Sequence, residues 1–213
     1  MPTEQIFPLL QLRRGEYFSR KVTTESAERI SNLLGDEGYA FANVNVVPEI
    51  DETNKQVAVT FFVDPGKRVY VRRVNMKGNT RTRDEVLRRE MRQLETAWFS
   101  SRLVRESRER LQRLGFFEDV TIETPAVPGS ADQVDVDVTV VEKAAGNLLA
   151  GVGYSQSQGI VFNASVTQNN FLGTGKRVSF AFNTSDATRL YQLGFRNPYY
   201  TIDGISRGFE LSY

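Results

Sequence analysis

Neither cysteine nor histidine occurs among the 213 residues of this chain. The first absence removes disulfides, thiolate nucleophiles and cysteine-ligated zinc. The second removes Ser-His-Asp and Cys-His chemistry and the commonest transition-metal ligand. Carboxylate or lysine chemistry remains, but no pair of carboxylates stands out as an acid–base couple. These leave enzyme chemistry open, with the usual catalytic groups nearly absent. Also lacking is any apolar run of the roughly 20 residues that a membrane-spanning helix needs. The N-terminus, MPTEQIFPLLQLRRGE, has no basic stretch leading into an apolar one, so it is not a secretory signal. Nor is one charge in excess: 27 basic residues face 26 acidic ones, which gives no reason to expect a polyanionic partner.

The charges are unevenly spread. Only eight of them follow Gly146, and the change of character at residues 144–146 marks a domain boundary. Before it lies an internal repeat. EYFSRKVTTESAERISNLLGDEGYA matches AWFSSRLVRESRERLQRLGFFED at an offset of about 80 residues, pairing Phe18-Ser19 with Phe99-Ser100 and Glu25-Ser26 with Glu106-Ser107. Each copy reads as a helix followed by two strands. In the second, Ser100 is expected to cap the helix, with Phe99 and Val104 as a hydrophobic staple. Leu103, Ser107, Leu111 and Leu114 form its inner stripe, and Gly115 stops it. Strands follow near 116–124 and 133–142, where valines alternate with Asp135, Asp137 and Thr139. A strand near 68–76 and a helix near 83–93 come before, the helix opened by the capping box Thr82-Arg83-Asp84-Glu85. Residues 67–143 are thus expected as a β-α-α-β-β unit with two helices on one face of a three-stranded sheet. Residues 1–66 supply a short helix near 3–12, a longer one near 20–35 and strands near 40–49 and 55–63. The opening strand of that first unit is missing, as though the chain begins inside a domain.

Ten arginines between positions 81 and 113 suggest a nucleic-acid surface, but acidic residues are interleaved with them. The i,i+4 pairs Arg102/Glu106, Arg105/Glu109 and Glu106/Arg110 favour a solvated, salt-bridged face, and no nucleic-acid partner is expected. GTGK at 173–176 is a fragment of a phosphate loop that lacks its first glycine and its Ser/Thr, and it precedes a strand; a hairpin turn is expected. Asp132, Asp135 and Asp137 read as the wet face of a strand rather than as metal ligands. The sheet edges of the repeats suit either β-augmentation by an extended peptide or a plain spacer role.

After Gly146, alternation recurs segment after segment. Leu148, Ala150, Val152 and Tyr154 share one face, as do Phe162, Ala164 and Val166. Val178, Phe180 and Phe182 follow, then Tyr191, Leu193 and Phe195, then Phe209, Leu211 and Tyr213. The opposite faces are polar or small, and turn signals separate the segments. Strands of about ten residues with this pattern fit an outer-membrane barrel with a wet interior, with Phe171, Tyr199 and Tyr200 as an interfacial girdle. An antiparallel sandwich produces the same alternation. The strands present are too few to close a barrel, which begins at about eight.

Five stretches carry a resemblance: VLRREMRQLETAWFSSRLV (86–104), LGFFEDV (114–120), VPGSADQVDV (127–136), NNFLGTG (169–175) and NPYYTIDG (197–204). In this order they resemble the BamA family, the outer-membrane protein assembly factors of Gram-negative bacteria. The resemblance covers essentially the whole chain. It implies an α+β fold of tandem POTRA domains, partial over 1–66 and complete over 67–143, followed over 147–213 by the first antiparallel strands of a transmembrane β-barrel. It further implies a protein that receives, folds and inserts β-barrel proteins into the outer membrane without a chemical reaction, hence no enzyme, no catalytic residue, no metal and no cofactor. Its POTRA domains would hang in the periplasm and bind unfolded outer-membrane proteins and accessory lipoproteins, with BamD docking at Arg88, Arg92 and Glu95. By the same resemblance, Asn147, Leu148, Leu149, Gly151, Gly153 and Tyr154 lie on the first strand of a lateral gate. Phe162, Val178, Phe180, Phe182, Tyr191, Leu193 and Phe195 would face outer-membrane lipid. A two-partner secretion transporter of the same superfamily, or an outer-membrane barrel enzyme, are the alternatives.

Overall fold

The structure is a computed structural model that describes residues 6–157, 159–186 and 188–213. The chain divides into two compact units. One comprises 1–75, 91–109 and 122–138; the other comprises 76–90, 110–121 and 139–213.

The first repeat opens with a short 3₁₀ turn, Phe7–Leu9, in place of the helix expected near 3–12, part of which lies outside the described residues. Pro8 sits at the start of this turn, and a proline disfavours helical backbone at the residue before it. Helix α1 (Arg20–Asp36) follows, burying Ser26, Ile30 and Leu34. Strands β1 (Asn43–Asp51) and β2 (Gln56–Asp64) then form an antiparallel pair.

The second repeat has the β-α-α-β-β order that its sequence predicts. It runs β3 (Tyr70–Lys77), α2 (Asp84–Arg88), α3 (Ser101–Arg113), β4 (Phe117–Glu123) and β5 (Gln133–Glu142), with sheet order β3-β5-β4. The repeat is reproduced at an offset of 81 residues, since α1 starts at Arg20 and α3 at Ser101. One buried serine carries it. The Ser26 hydroxyl donates to the Val22 carbonyl and accepts from the Gln11 backbone N–H. Ser107, its counterpart, donates to the Leu103 carbonyl and accepts from the backbone N–H groups of Arg92 and Gln93.

That same hydroxyl explains why α2 stops at Arg88 instead of continuing to 93. An α-helix would need the N–H of residue 92 for its own i−4 carbonyl, and Ser107 has taken it. The expected capping box does not form either: Arg83 occupies the N-cap position without a side-chain bond. Ser100 caps α3 as expected, its hydroxyl accepting from the Leu103 N–H. Of the three predicted ion pairs, Arg102–Glu106 is present at 2.8 Å. Arg110 turns away from Glu106 and meets Glu90, also at 2.8 Å. On β5 the aspartates do form a polar face: Asp135 pairs with Arg72, and Asp137 accepts from the Asn75 amide.

Strands β6 (Gly146–Ser155), β7 (Gly159–Phe171), β8 (Lys176–Thr184), β9 (Arg189–Asn197) and β10 (Arg207–Ser212) form one antiparallel sheet in chain order. No helix among the described residues is long and apolar enough to cross a membrane.

Candidate functional site

The register of the five-stranded sheet aligns the apolar residues into rows that cross all strands. Leu148 lies opposite Val166, Val166 opposite Phe180, Phe180 opposite Leu193, and Leu193 opposite Leu211. The next row is Ala150, Ala164, Phe182 and Tyr191. Side chains directly opposite across a ladder share a face, so Phe162, Val178, Phe180, Phe182, Tyr191, Leu193 and Phe195 lie on a single apolar surface. Aromatic contacts run along it, with ring centroids 5.1 Å apart for Phe182–Tyr191 and 5.6 Å for Phe195–Phe209. No described element covers it: Phe162, Phe180, Tyr191 and Leu193 are exposed. The opposite surface carries polar and small rows, among them Asn147, Thr167, Ser179, Gly194 and Glu210.

β6 is hydrogen-bonded only to β7 among the described residues. Asn147, Leu148, Leu149, Gly151, Gly153 and Tyr154 are all exposed on it, Leu148 at 75%. Its outer edge therefore offers a row of backbone donors and acceptors, the geometry that accepts an added strand. Gly153 has open space where a Cβ would be, so nothing in the sheet requires glycine there.

The β7–β8 turn is shaped by local conformation and by what it touches. Asn170, Leu172, Gly173 and Gly175 all have positive φ. The Asn170 side chain accepts from the Gly175 N–H and donates to the Thr82 hydroxyl at 2.7 Å. The Gly173 carbonyl accepts from the Arg83 N–H at 2.9 Å. A Cβ on Gly173 would stand 2.0 Å from the Arg81 carbonyl oxygen, a backbone atom that cannot step aside. Glycine is required here by both φ and close approach. The expected hairpin turn is present, but the sequence did not reveal that it is keyed to residues 81–83.

Those residues are held from below by Glu142, at the end of β5. Its carboxylate accepts from the Thr82 N–H at 2.7 Å, the Arg81 N–H at 2.9 Å and the Thr80 hydroxyl at 3.0 Å. Burial works to raise the Glu142 pKa, but hydrogen bonds from the Thr82 side chain, the Arg81 and Thr82 N–H groups and the Thr80 side chain outweigh it and hold the group below the ordinary glutamate value. The Thr82 hydroxyl thus accepts from the Asn170 amide and the Thr82 N–H donates to Glu142, which is why Thr82 does not cap α2.

The residues expected to dock a lipoprotein fall in two settings. Arg88 ends α2, exposed and paired with Asp84. Arg92 and Glu95 lie in the following segment, both exposed, and the Glu95 carboxylate accepts from the Val74 N–H at 2.9 Å. Glu95 therefore has a local structural task as well as an exposed charge. Of the residues expected to form an aromatic girdle, Phe171 and Tyr200 are exposed, Tyr200 beneath the Arg207 guanidinium. Tyr199 departs from that expectation. It is half-buried, with Arg89 stacked on its ring and Arg110 donating to its hydroxyl.

A family model described as POTRA, surface antigen variable number repeat, matches residues 1–66 and 69–143. Over 211 residues the chain is 34% identical to the outer membrane protein assembly factor BamA of Neisseria meningitidis serogroup B, covering 99% of this chain and 26% of that protein. The crystal structure of BamA from Haemophilus ducreyi lacking POTRA domains 1–3 is similar with a TM-score of 0.86 and 37% identity, over 98% of this chain and 40% of that one. A structure of POTRA domains 3–5 of BamA from Haemophilus influenzae matches with a TM-score of 0.63 and 41% identity, over 65% and 55% of the two chains. The chain spans about a quarter of the length of the curated relatives it matches.

Proposed function

The chain belongs to the POTRA (surface antigen variable number repeat) family, and on that premise we propose that it is part of an outer-membrane protein assembly factor that receives, folds and inserts β-barrel proteins. One observation carries this reading: a POTRA repeat is hydrogen-bonded through residues 82–83 to the turn of an antiparallel sheet whose apolar face is uncovered. In this reading 1–66 and 67–143 are POTRA units in the periplasm of a Gram-negative bacterium, and 147–213 are the first strands of the barrel. Phe162, Val178, Phe180, Phe182, Tyr191, Leu193 and Phe195 face acyl chains, and the polar rows line a wet lumen. The open edge of β6 is the template on which an incoming strand pairs, through backbone groups that do not discriminate between client sequences. No bond is made or broken, so the protein is not an enzyme.

Arg88, Arg92 and Glu95 are the proposed contact for an accessory lipoprotein such as BamD. Reversing one charge in such a contact costs affinity and slows association. Glu95→Lys in the full-length protein is expected to weaken lipoprotein capture in a pull-down. Glu95→Gln keeps an oxygen for the Val74 N–H and separates charge from local structure. Capture unchanged in both variants removes Glu95 from the contact. Depleting the protein is expected to leave outer-membrane barrel proteins unfolded in the periplasm. Unaltered levels of folded barrels after depletion would overturn the assembly reading itself.

A further inference from the structure

Four side chains that the proposed function does not use converge where the β9–β10 turn meets the end of α2. Glu90 is buried, with only 4% of its surface exposed. Its carboxylate lies 2.8 Å from Arg110 and 4.0 Å from Arg89. Arg110 also donates to the Tyr199 hydroxyl at 3.0 Å, and the Arg89 guanidinium lies 4.2 Å above the Tyr199 ring. Burial and the adjacent Glu90 carboxylate raise the Tyr199 pKa, so its hydroxyl stays protonated. One carboxylate therefore balances two half-buried guanidinium groups, and Arg89 Nε, Arg89 Nη2 and Arg110 Nε lack a hydrogen-bond partner among the described residues.

The internal repeat provides a control for what this cluster is for. At the 81-residue offset, Arg110 corresponds to Arg29, but Arg89 corresponds to Pro8 and Glu90 to Leu9. The first repeat has an apolar pair, in a 3₁₀ turn, where the second has a charge pair at the end of a helix. The buried-serine contact forms in both repeats and so does not need the ions. They occur in the repeat that precedes the strands, and their fourth member, Tyr199, belongs to the strands' own turn. Gly175 of the neighbouring turn adds to the enclosure, since a Cβ there would stand 2.3 Å from Arg89 Nη2.

We propose that Glu90, with Arg89, Arg110 and Tyr199, is an ionic clasp that fixes the β9–β10 turn to the end of α2, so that this end of the repeat and the strands move as one body. Glu90 is its pin. Without that carboxylate, two half-buried cations repel each other beside Tyr199, and the turn is released.

The test uses a reporter in the other turn. This chain has no cysteine of its own, and Thr82 and Asn170 touch through their side chains. Thr82→Cys with Asn170→Cys in the full-length protein gives a disulfide whose formation rate under mild oxidation reports how tightly the turns are held. Adding Glu90→Gln is expected to slow cross-linking at least about tenfold, since removing one partner leaves charges uncompensated. The swap Glu90→Arg with Arg110→Glu is expected to restore the rate, which a loss of general packing would not allow. Cross-linking of Glu90→Gln at the parental rate overturns the clasp, as does a swap no faster than Glu90→Gln. If Glu90→Gln does not fold, as judged by heat-modifiable gel migration, Tyr199→Phe and Arg110→Lys decide. Slower cross-linking in either supports the clasp, and parental rates in both overturn it. No client protein is present in the assay, so its failure leaves the assembly reading standing.

Discussion

Strands β5 and β8 have nearly the same pattern and opposite surroundings. In β5, Val134, Val136, Val138 and Val140 alternate with polar residues and are 0–2% exposed. In β8, Val178, Phe180 and Phe182 alternate with Arg177, Ser179 and Asn183, yet Phe180 is 46% exposed. A period of two states which residues share a face. It does not state what lies against that face. The residues differ in kind as well: valines fill the confined space inside a small sheet, whereas phenylalanines spread over a broad surface that no described element covers.

Placing a charge on each face breaks the comparison most sharply. Val136→Asp buries a carboxylate with no partner and is expected to destabilise the second repeat by at least about 4 kcal/mol. Denaturant unfolding followed through the single tryptophan, Trp98, which stacks on Tyr70 at 3.8 Å, checks this. A shift under 1 kcal/mol, well below the ordinary cost of burying an unpaired charge, would mean that water reaches β5. Phe180→Arg is expected to cost about 2–4 kcal/mol when the strands fold into a bilayer, and to leave the Trp98 transition of the repeat unmoved. Equal folding of Phe180→Arg and the parent into vesicles would remove Phe180 from the lipid face.

The smallest expected effect sharpens the comparison at the junction between these regions. The Glu142 pKa is lowered in the folded protein, so the folded state gains from Glu142 at pH values above the ordinary glutamate range. That gain is lost as the pH falls through the folded value. Thermal stability should therefore decline below about pH 4.3, the unperturbed glutamate pKa, and Glu142→Gln should flatten this part of the profile. An identical profile for Glu142→Gln would show that these hydrogen bonds contribute no net preference for the carboxylate.

The order of the second repeat was legible because each element had its own local signal. The serine cap and apolar stripe marked α3, valine alternation marked β5, and the offset of Glu25-Ser26 from Glu106-Ser107 marked the repeat. The length of α2 was not legible. Residues 89–93 continue an acceptable helical pattern, but the Glu90 N–H bonds the i−3 carbonyl of Leu87 and the buried Ser107 hydroxyl takes the Arg92 N–H. The i,i+4 rule placed Arg110 against Glu106 on a wet face; it could not weigh a carboxylate 20 positions back in the chain. The divergence of Arg89-Glu90 from Pro8-Leu9 was visible in the sequence and was the one sign that this end of the repeat differs.

By itself, the sequence determined the repeat, the loss of charge after Gly146, and which side chains share each face of each strand. These follow from covalent periodicity and from local competition for backbone hydrogen bonds. Only the tertiary structure decided which faces are covered and which donors and acceptors meet. Thr82 bonds Glu142 and Asn170 rather than its own helix, Gly173 lies against Arg81, and Glu90 holds two arginines beside Tyr199. Apart from the adjacent Arg89–Glu90 pair, each is a contact between groups far apart in the chain, where the strongest available partner wins over the nearest one.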